Sequence, residues 1–299
     1  MSAAQLRLSA VLGDHGHLTP LKEGRVNPPD VEFEWIHYQP THDAFAPMVN
    51  DLAFDVCEMA IATYLQARDR GVPITMLPAG MIGRFQHRYL VRHADRAPLR
   101  PEDLAGRRIG VRSYTVTTGM WVRGLLEDQY GVDPDSVTWH TYEPQHVTGS
   151  PTPPNVVAPV AGASIVDDLA SGLIDAAVVG ADHPALRPLI DDSDEAARAW
   201  FARHRVVPIN HLVVVRDELL REHPDLGDEL MAAFAESRRL AADDGVEETD
   251  PLARALGVES APLGRESLEP VLALAADLCA RQHITSTRSD PIPLPEVLP

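Results

Sequence analysis

Two carboxylates, four histidines and a cluster of arginines and hydroxyls are the residues of this chain best suited to moving protons and holding an anion. Glu58 lies near the end of the apolar run 54–60, and Asp14 follows the alternating segment 6–12. Both therefore stand at C-terminal ends of expected strands, where functional side chains of open α/β sheets gather. His15, His17, His87 and His211 supply imidazoles, which act as acid or base near neutral pH. The segment 106–131 runs from a short apolar strand through a turn carrying Arg112, Ser113, Tyr114, Thr115, Thr117 and Thr118 into a helix that carries Arg123. Backbone N–H groups and the positive end of a helix dipole converge at such a junction, which favours an anion, carboxylates included. Arg84, Arg88, Arg112 and Arg123 add guanidinium groups that bind a carboxylate bidentately.

Each of these residues has a plainer reading. Glu58 suits a cap or partner of the helix that follows it, Asp14 a turn residue in Gly-Asp-His-Gly, and His211 a hydrogen-bonded core histidine within an apolar strand. The arginines suit surface salt bridges, and Thr117 or Thr118 the N-cap of the helix. Cys57, next to Glu58, reads as a core thiol. His15-x-His17 with His87 and His211 offers a divalent-metal alternative, but no further metal-ligand spacing accompanies them, and the expectation is a site without metal or cofactor. No glycine-rich phosphate-binding motif is present.

The elements that must position these groups follow from periodicity. Residues 6–12 and 31–38 alternate as strands, and 40–51 is helical. Residues 54–60 form a buried strand running into a helix, and 74–80 and 89–91 add strands around the loop Gly-Met-Ile-Gly-Arg-Phe-Gln-His-Arg. The polar, proline-containing stretch 94–105 reads as a crossing into a second lobe. That lobe holds the strand and helix of 106–131, with Gly131 as the C-cap, a strand at 137–143, an extended loop at 144–162 that lines or covers a cleft, a helix at 167–173 and a strand at 176–179. After a helix at 195–204, the apolar strand 206–215 returns to the first lobe, followed by helices at 224–242, 252–256 and 267–283 and a proline-rich tail. The expected division is 1–92 plus 208–299 for lobe 1 and 93–207 for lobe 2: an α/β clamshell with its ligand cleft between the lobes.

The chain has 299 residues, enough for two such lobes. Its 44 acidic residues against 26 basic give a net charge of -18, which argues against nucleic acid or an anionic membrane as partner. The arginines and hydroxyls then point to a small-molecule carboxylate. Two distant cysteines, Cys57 and Cys279, indicate neither a disulfide framework nor a CxxC metal site. The N-terminus lacks a signal-peptide apolar region and no stretch reaches the ~20 apolar residues of a membrane span. A cytoplasmic protein is expected, with a homodimer as one open possibility.

The order Leu-Arg-Pro-Glu-Asp-Leu-Ala-Gly-Arg-Arg-Ile-Gly-Val, then helix, then Asp-Asp-Leu-Ala-Ser-Gly-Leu-Ile-Asp-Ala-Ala-Val-Val-Gly-Ala resembles the second lobe of type 2 periplasmic binding proteins. More particular stretches resemble the 4,5-dihydroxyphthalate decarboxylase family, enzymes on that same fold: 54–71, the Phe-Gln-His of 85–87, 114–132, 169–181 and 206–224. The chain departs from the family pattern on loops expected to face the ligand. Gln86 stands where the family usually has arginine, His15 and His17 where it has tyrosine and arginine, and Arg112-Ser113 where it has a Pro-Glu pair. The resemblance implies a cofactor-independent carboxy-lyase acting on a hydroxylated aromatic or related unsaturated carboxylate. It implies Glu58, His87 and His211 as the groups handling protons, with Asp14 a further candidate, and it matches Arg123. Arg84, Arg88, Arg112, Ser113, Tyr114, Thr117, Thr118 and His15 complete the expected substrate-binding set. Two alternatives remain: an isomerase or dehydratase on the same scaffold, and a non-catalytic solute-binding protein for a small carboxylate.

Overall fold

The computed structural model describes residues 5–180, 183–246 and 249–286, to which all structural statements refer. In chain order the first elements are β1 (Leu6–Val11), α1 (Thr19–Lys22), β2 (Val31–Trp35), α2 (Phe45–Asp51), β3 (Val56–Ala60), α3 (Ile61–Asp69) and β4 (Ile74–Gly83). Next come β5 (Leu90–His93), β6 (Arg108–Val111), α4 (Thr117–Tyr130), β7 (Thr138–Thr141), β8 (Val156–Val157), α5 (Ile165–Ser171), β9 (Ala176–Val178), β10 (Leu186–Pro188) and α6 (Ser193–His204). The chain ends with β11 (Ile209–Arg216), α7 (Asp217–Glu222), α8 (Leu226–Asp243), α9 (Pro251–Ala255) and α10 (Arg265–Arg281).

Two compact units result among the described residues, 5–84 with 209–273, and 85–208 with 274–286. In the first, the strand order is β2-β1-β3-β11-β4. β1 lies parallel to β2 and β3, while β11 runs antiparallel between β3 and β4. Every residue of β3 is buried, Glu58 included, as in a strand covered on both faces. Leu8, Ala10, Val56, Leu77, Val213 and Val215 of this sheet pack with Leu226, Leu230 and Phe234 of α8. In the second unit the order is β10-β5-β9-β6-β7-β8, with β6, β7, β8 and β9 parallel neighbours and β5 and β10 antiparallel. Gly131 caps α4 with φ 66°, in the left-handed region that glycine enters without strain.

The division differs from the expected one at both ends. Residues 85–92 belong to the second unit, because β5 pairs with β9 and β10 and His87 bonds Gln129 of α4. The proline-containing stretch 94–105 is thus a loop inside the second unit and no crossing. The C-terminal part of α10 also joins the second unit. Cys279 Sγ lies 3.2 Å from Met120 Sδ, and a Cβ on Gly124 would come within 2.7 Å of Leu278. Two shorter elements escape the periodicity, β8 inside the expected loop 144–162 and the three-residue β10, which contains a proline. The proline-rich tail lies outside the described residues.

Candidate active site

Glu58 is the centre of a buried polar cluster built entirely from the first unit. Its side chain is 1% exposed, on a strand whose neighbours bring two histidines to it. Across the ladder Val213 stands opposite Glu58, and His211, two residues along β11, falls on the same face. Register shifts against β4 on both sides of His211 mark a bulge, a device that re-aims a strand side chain. His211 Nδ1 reaches Glu58 Oε1 at 2.6 Å. On the other oxygen, His15 Nε2 lies 2.9 Å from Oε2, and the Gly13 backbone N–H donates to the same atom at 2.7 Å. Val11 is in register with Cys57, so the chain leaving β1 is delivered beside Glu58.

Gly13 is required there. A Cβ at that position would stand 2.6 Å from His15 Nε2 and 2.9 Å from Glu58 Oε2. The rings are held from behind as well: His15 stacks on His17 at 5.2 Å with an interplanar angle of 3°, and Phe45 meets His211 edge-on at 5.2 Å. Burial alone would raise the Glu58 pKa, but hydrogen bonds from His15 and His211 and their charge outweigh it and hold the carboxyl below its ordinary range. Glu58 is therefore held as a carboxylate at neutral pH, between the two histidines. It does not cap a helix, since α3 begins after Ala60 without a side-chain cap. The histidine side chains keep a path to solvent, His15 being 17% and His211 21% exposed.

Asp14 stands apart from this cluster. Its side chain is 64% exposed and pairs with Lys22 at 2.7 Å, which lowers its pKa, so it is a surface ion pair and not an acid or base of the site. Arg84, half-buried, is the last residue of the first unit's N-terminal segment. Among the described residues no three His, Cys, Asp or Glu side chains are arranged to hold a metal ion. His15 and His17 lie ring on ring instead of converging on one point.

The remaining candidates belong to the second unit, and several are bound up in its interior. Arg123 is wholly buried without a carboxylate: Nε donates to Gln282 Oε1 at 2.7 Å and NH2 to Tyr114 O at 2.8 Å, while the guanidinium covers the Tyr114 ring at 4.0 Å. Tyr114 donates its hydroxyl to Gln282 O, and Gln282 Nε2 donates to Met120 O. Arg123 and Tyr114 thus fasten the end of α10 and are not a substrate clamp, contrary to the sequence expectation. Arg112 pairs with Glu143 at 3.0 Å. Thr117 and Thr118 are the first two residues of α4, whose N-cap is Val116, so neither threonine caps it. Ser113 is fully buried and its Oγ has no hydrogen-bond partner among the described residues. Arg88 is exposed.

His87 is buried, and its Nε2 lies 2.7 Å from Gln129 Oε1, an orientation fixed by Gln129 Nε2 donating to Ala196 O. Burial lowers its pKa, so it is a neutral imidazole. The loop 144–162, with Tyr114, Thr141 and Glu143, lines a cavity of about 340 Å³ within the second unit. Gly13, Phe45, Gln129 and Gln282 are the contributors that sequence reasoning missed. Gly13 alone carried a signal, a glycine directly after a strand, which marks close approach to the backbone.

This framework of two α/β units is that of the periplasmic binding proteins. The periplasmic aliphatic sulphonate binding protein of Escherichia coli superposes with a TM-score of 0.60 at 14% identity, over 96% of this chain and 95% of that one. A Candida albicans protein described as showing the generic periplasmic binding protein fold gives 0.57 at 12% identity, over 97% and 94%. A desulfurization enzyme gives 0.55 at 15%, over 97% and 95%. No family model matches the sequence. Within that fold the curated relatives are narrower. A 4,5-dihydroxyphthalate decarboxylase of Comamonas testosteroni is 31% identical over 80% of this chain and 76% of its own length. One from Pseudomonas putida is 29% identical over 45% and 52%. The chain belongs to the 4,5-dihydroxyphthalate decarboxylase family.

Proposed function

We propose that this protein is a carboxy-lyase that removes CO2 from a hydroxylated aromatic carboxylate, with 4,5-dihydroxyphthalate as the first substrate to test, and that its own side chains suffice for the chemistry. The observation that carries this reading is the Glu58 carboxylate held between His15 and His211 at 2.9 and 2.6 Å. A carboxylate so placed orients two imidazoles, side chains able to deliver a proton to a ring carbon. The ring carbon bearing the carboxylate takes a proton from the histidine cluster, while a ring hydroxyl lends its proton to a base, supplies electron density and recovers the proton once CO2 has left. The bond to the carboxylate then breaks, its electron pair restores the aromatic ring, and CO2 leaves. One proton is taken up from solvent in each turnover. We place the reaction in the cytoplasm; the two free, buried cysteines suit a reducing compartment.

A panel of hydroxylated benzoates and phthalates tests the reading through CO2 release, before and after dialysis against EDTA. Release that survives dialysis is expected. Binding of such acids without any release would favour the second reading, a solute receptor, which the likeness to sulphonate-binding proteins keeps in play.

A further inference from the structure

One carboxylate shared by two imidazoles restricts where their protons can be. Glu58 is ionised, so both of its oxygens are acceptors, and Gly13 already donates to Oε2. The facing nitrogens, His15 Nε2 and His211 Nδ1, must then both carry hydrogen. For His211 this leaves Nε2 as the nitrogen whose proton comes and goes, and it has no hydrogen-bond partner among the described residues. Phe45 packs edge-on against this ring, and the bulge in β11 sets the direction from which it approaches Glu58.

We propose that Glu58 is a positioning residue that fixes the tautomers of two histidines at once, making His211 Nε2 the atom that exchanges the proton with the substrate. The assignment rests on the decarboxylase reading for its last step, whereas the tautomers themselves do not. His15 and His211 are the titratable groups that bear on Glu58. Behind it, burial keeps the Cys57 thiol protonated, and Asp14 is turned to Lys22.

The substitution Glu58→Gln separates this role from a merely structural one. A glutamine has one acceptor and one donor end. With its oxygen retained by Gly13 N–H and His15, its amide nitrogen faces His211 Nδ1, which must then accept. The expected result is that the neutral His211 proton moves from Nδ1 to Nε2 while His15 keeps its Nε2 proton. Nitrogen-15 NMR of histidine-labelled protein reads both tautomers, with His15→Asn and His211→Asn variants giving the assignments. Decarboxylation is expected to fall about 10²- to 10⁴-fold, as when an acid-base histidine is held in the wrong tautomer. The unsubstituted protein is itself a test, independent of how the variant folds. A neutral His211 with its proton on Nε2 overturns the proposal, and so does a Glu58→Gln variant in which the His211 tautomer is unchanged. If the unsubstituted protein releases no CO2 from any acid of the panel, the functional reading fails while the tautomer result stands or falls on its own.

Discussion

Replacing Gly13 with alanine tests how tightly the Glu58 cluster is built. The new Cβ would lie 2.6 Å from His15 Nε2 and 2.9 Å from Glu58 Oε2, closer than such contacts occur. Glu58 has little room to retreat, because it is buried and its other oxygen is bonded to His211 at 2.6 Å. Forcing a methyl group into a packed site costs about 1–3 kcal/mol, and losing one hydrogen bond to a charged group costs about 1.5–3 kcal/mol. The expected loss is about 2.5–6 kcal/mol, or a melting temperature lower by roughly 4–10 °C for a chain of this length. The control is Gly257→Ala, where φ is +70° and nothing lies within 4 Å of the added carbon, so only the left-handed backbone penalty of about 1–2 kcal/mol applies. Thermal melts of both variants, with CO2 release measured alongside, separate crowding from backbone strain. A Gly13→Ala protein no less stable than the Gly257→Ala control, and fully active, would refute the reasoning.

The remaining predictions concern the second unit and the titrating groups. Gln282→Ala removes the acceptor for the buried Arg123 Nε and the donor to Met120 O; a loss of about 1.5–3 kcal/mol is expected in urea unfolding, with the tautomers of His15 and His211 unchanged by NMR. His87 has a folded pKa lowered by burial, so its unfolded form binds a proton first, and stability falls as pH drops below about 6.5. His87→Gln should flatten that part of the stability curve. Glu58 is also depressed, so its contribution is present above about pH 4.3 and is lost only on further acidification. Cys57 and Cys279 are buried with thiol pKa values raised, that of Cys279 to about 12; neither should react with iodoacetamide until the protein unfolds, as mass spectrometry would show.

Short-range pattern carried much of this fold. The alternation of 6–12, the apolar runs that became β3 and β11, and Gly131 as the α4 cap all follow from side-chain periodicity and glycine chemistry, and the element bounds differ by a few residues. The division between units was misplaced because proline and polarity mark a loop, not which sheet the next strand joins. The pairing of β5 with β9 and β10 is a long-range fact with no local sign. The site divides in the same way. Residue type and position at a strand end made Glu58, His15 and His211 visible, but their mutual contact depends on the register of β1, β3 and β11. The residue types of Tyr114, Arg123 and Arg112 suit a carboxylate clamp. Their actual partners, Gln282 and Glu143, lie 31 to 168 residues away in sequence, and Asp14 was claimed by Lys22.

The central claim, that a decarboxylation runs on protons handled at the Glu58 cluster, meets its most direct test in CO2 release from 4,5-dihydroxyphthalate by the unsubstituted protein and by His211→Ala. The account predicts release by the former and a loss of about 10²- to 10⁴-fold in the latter, without a matching loss of folded protein by circular dichroism. Equal release by both proteins would contradict it.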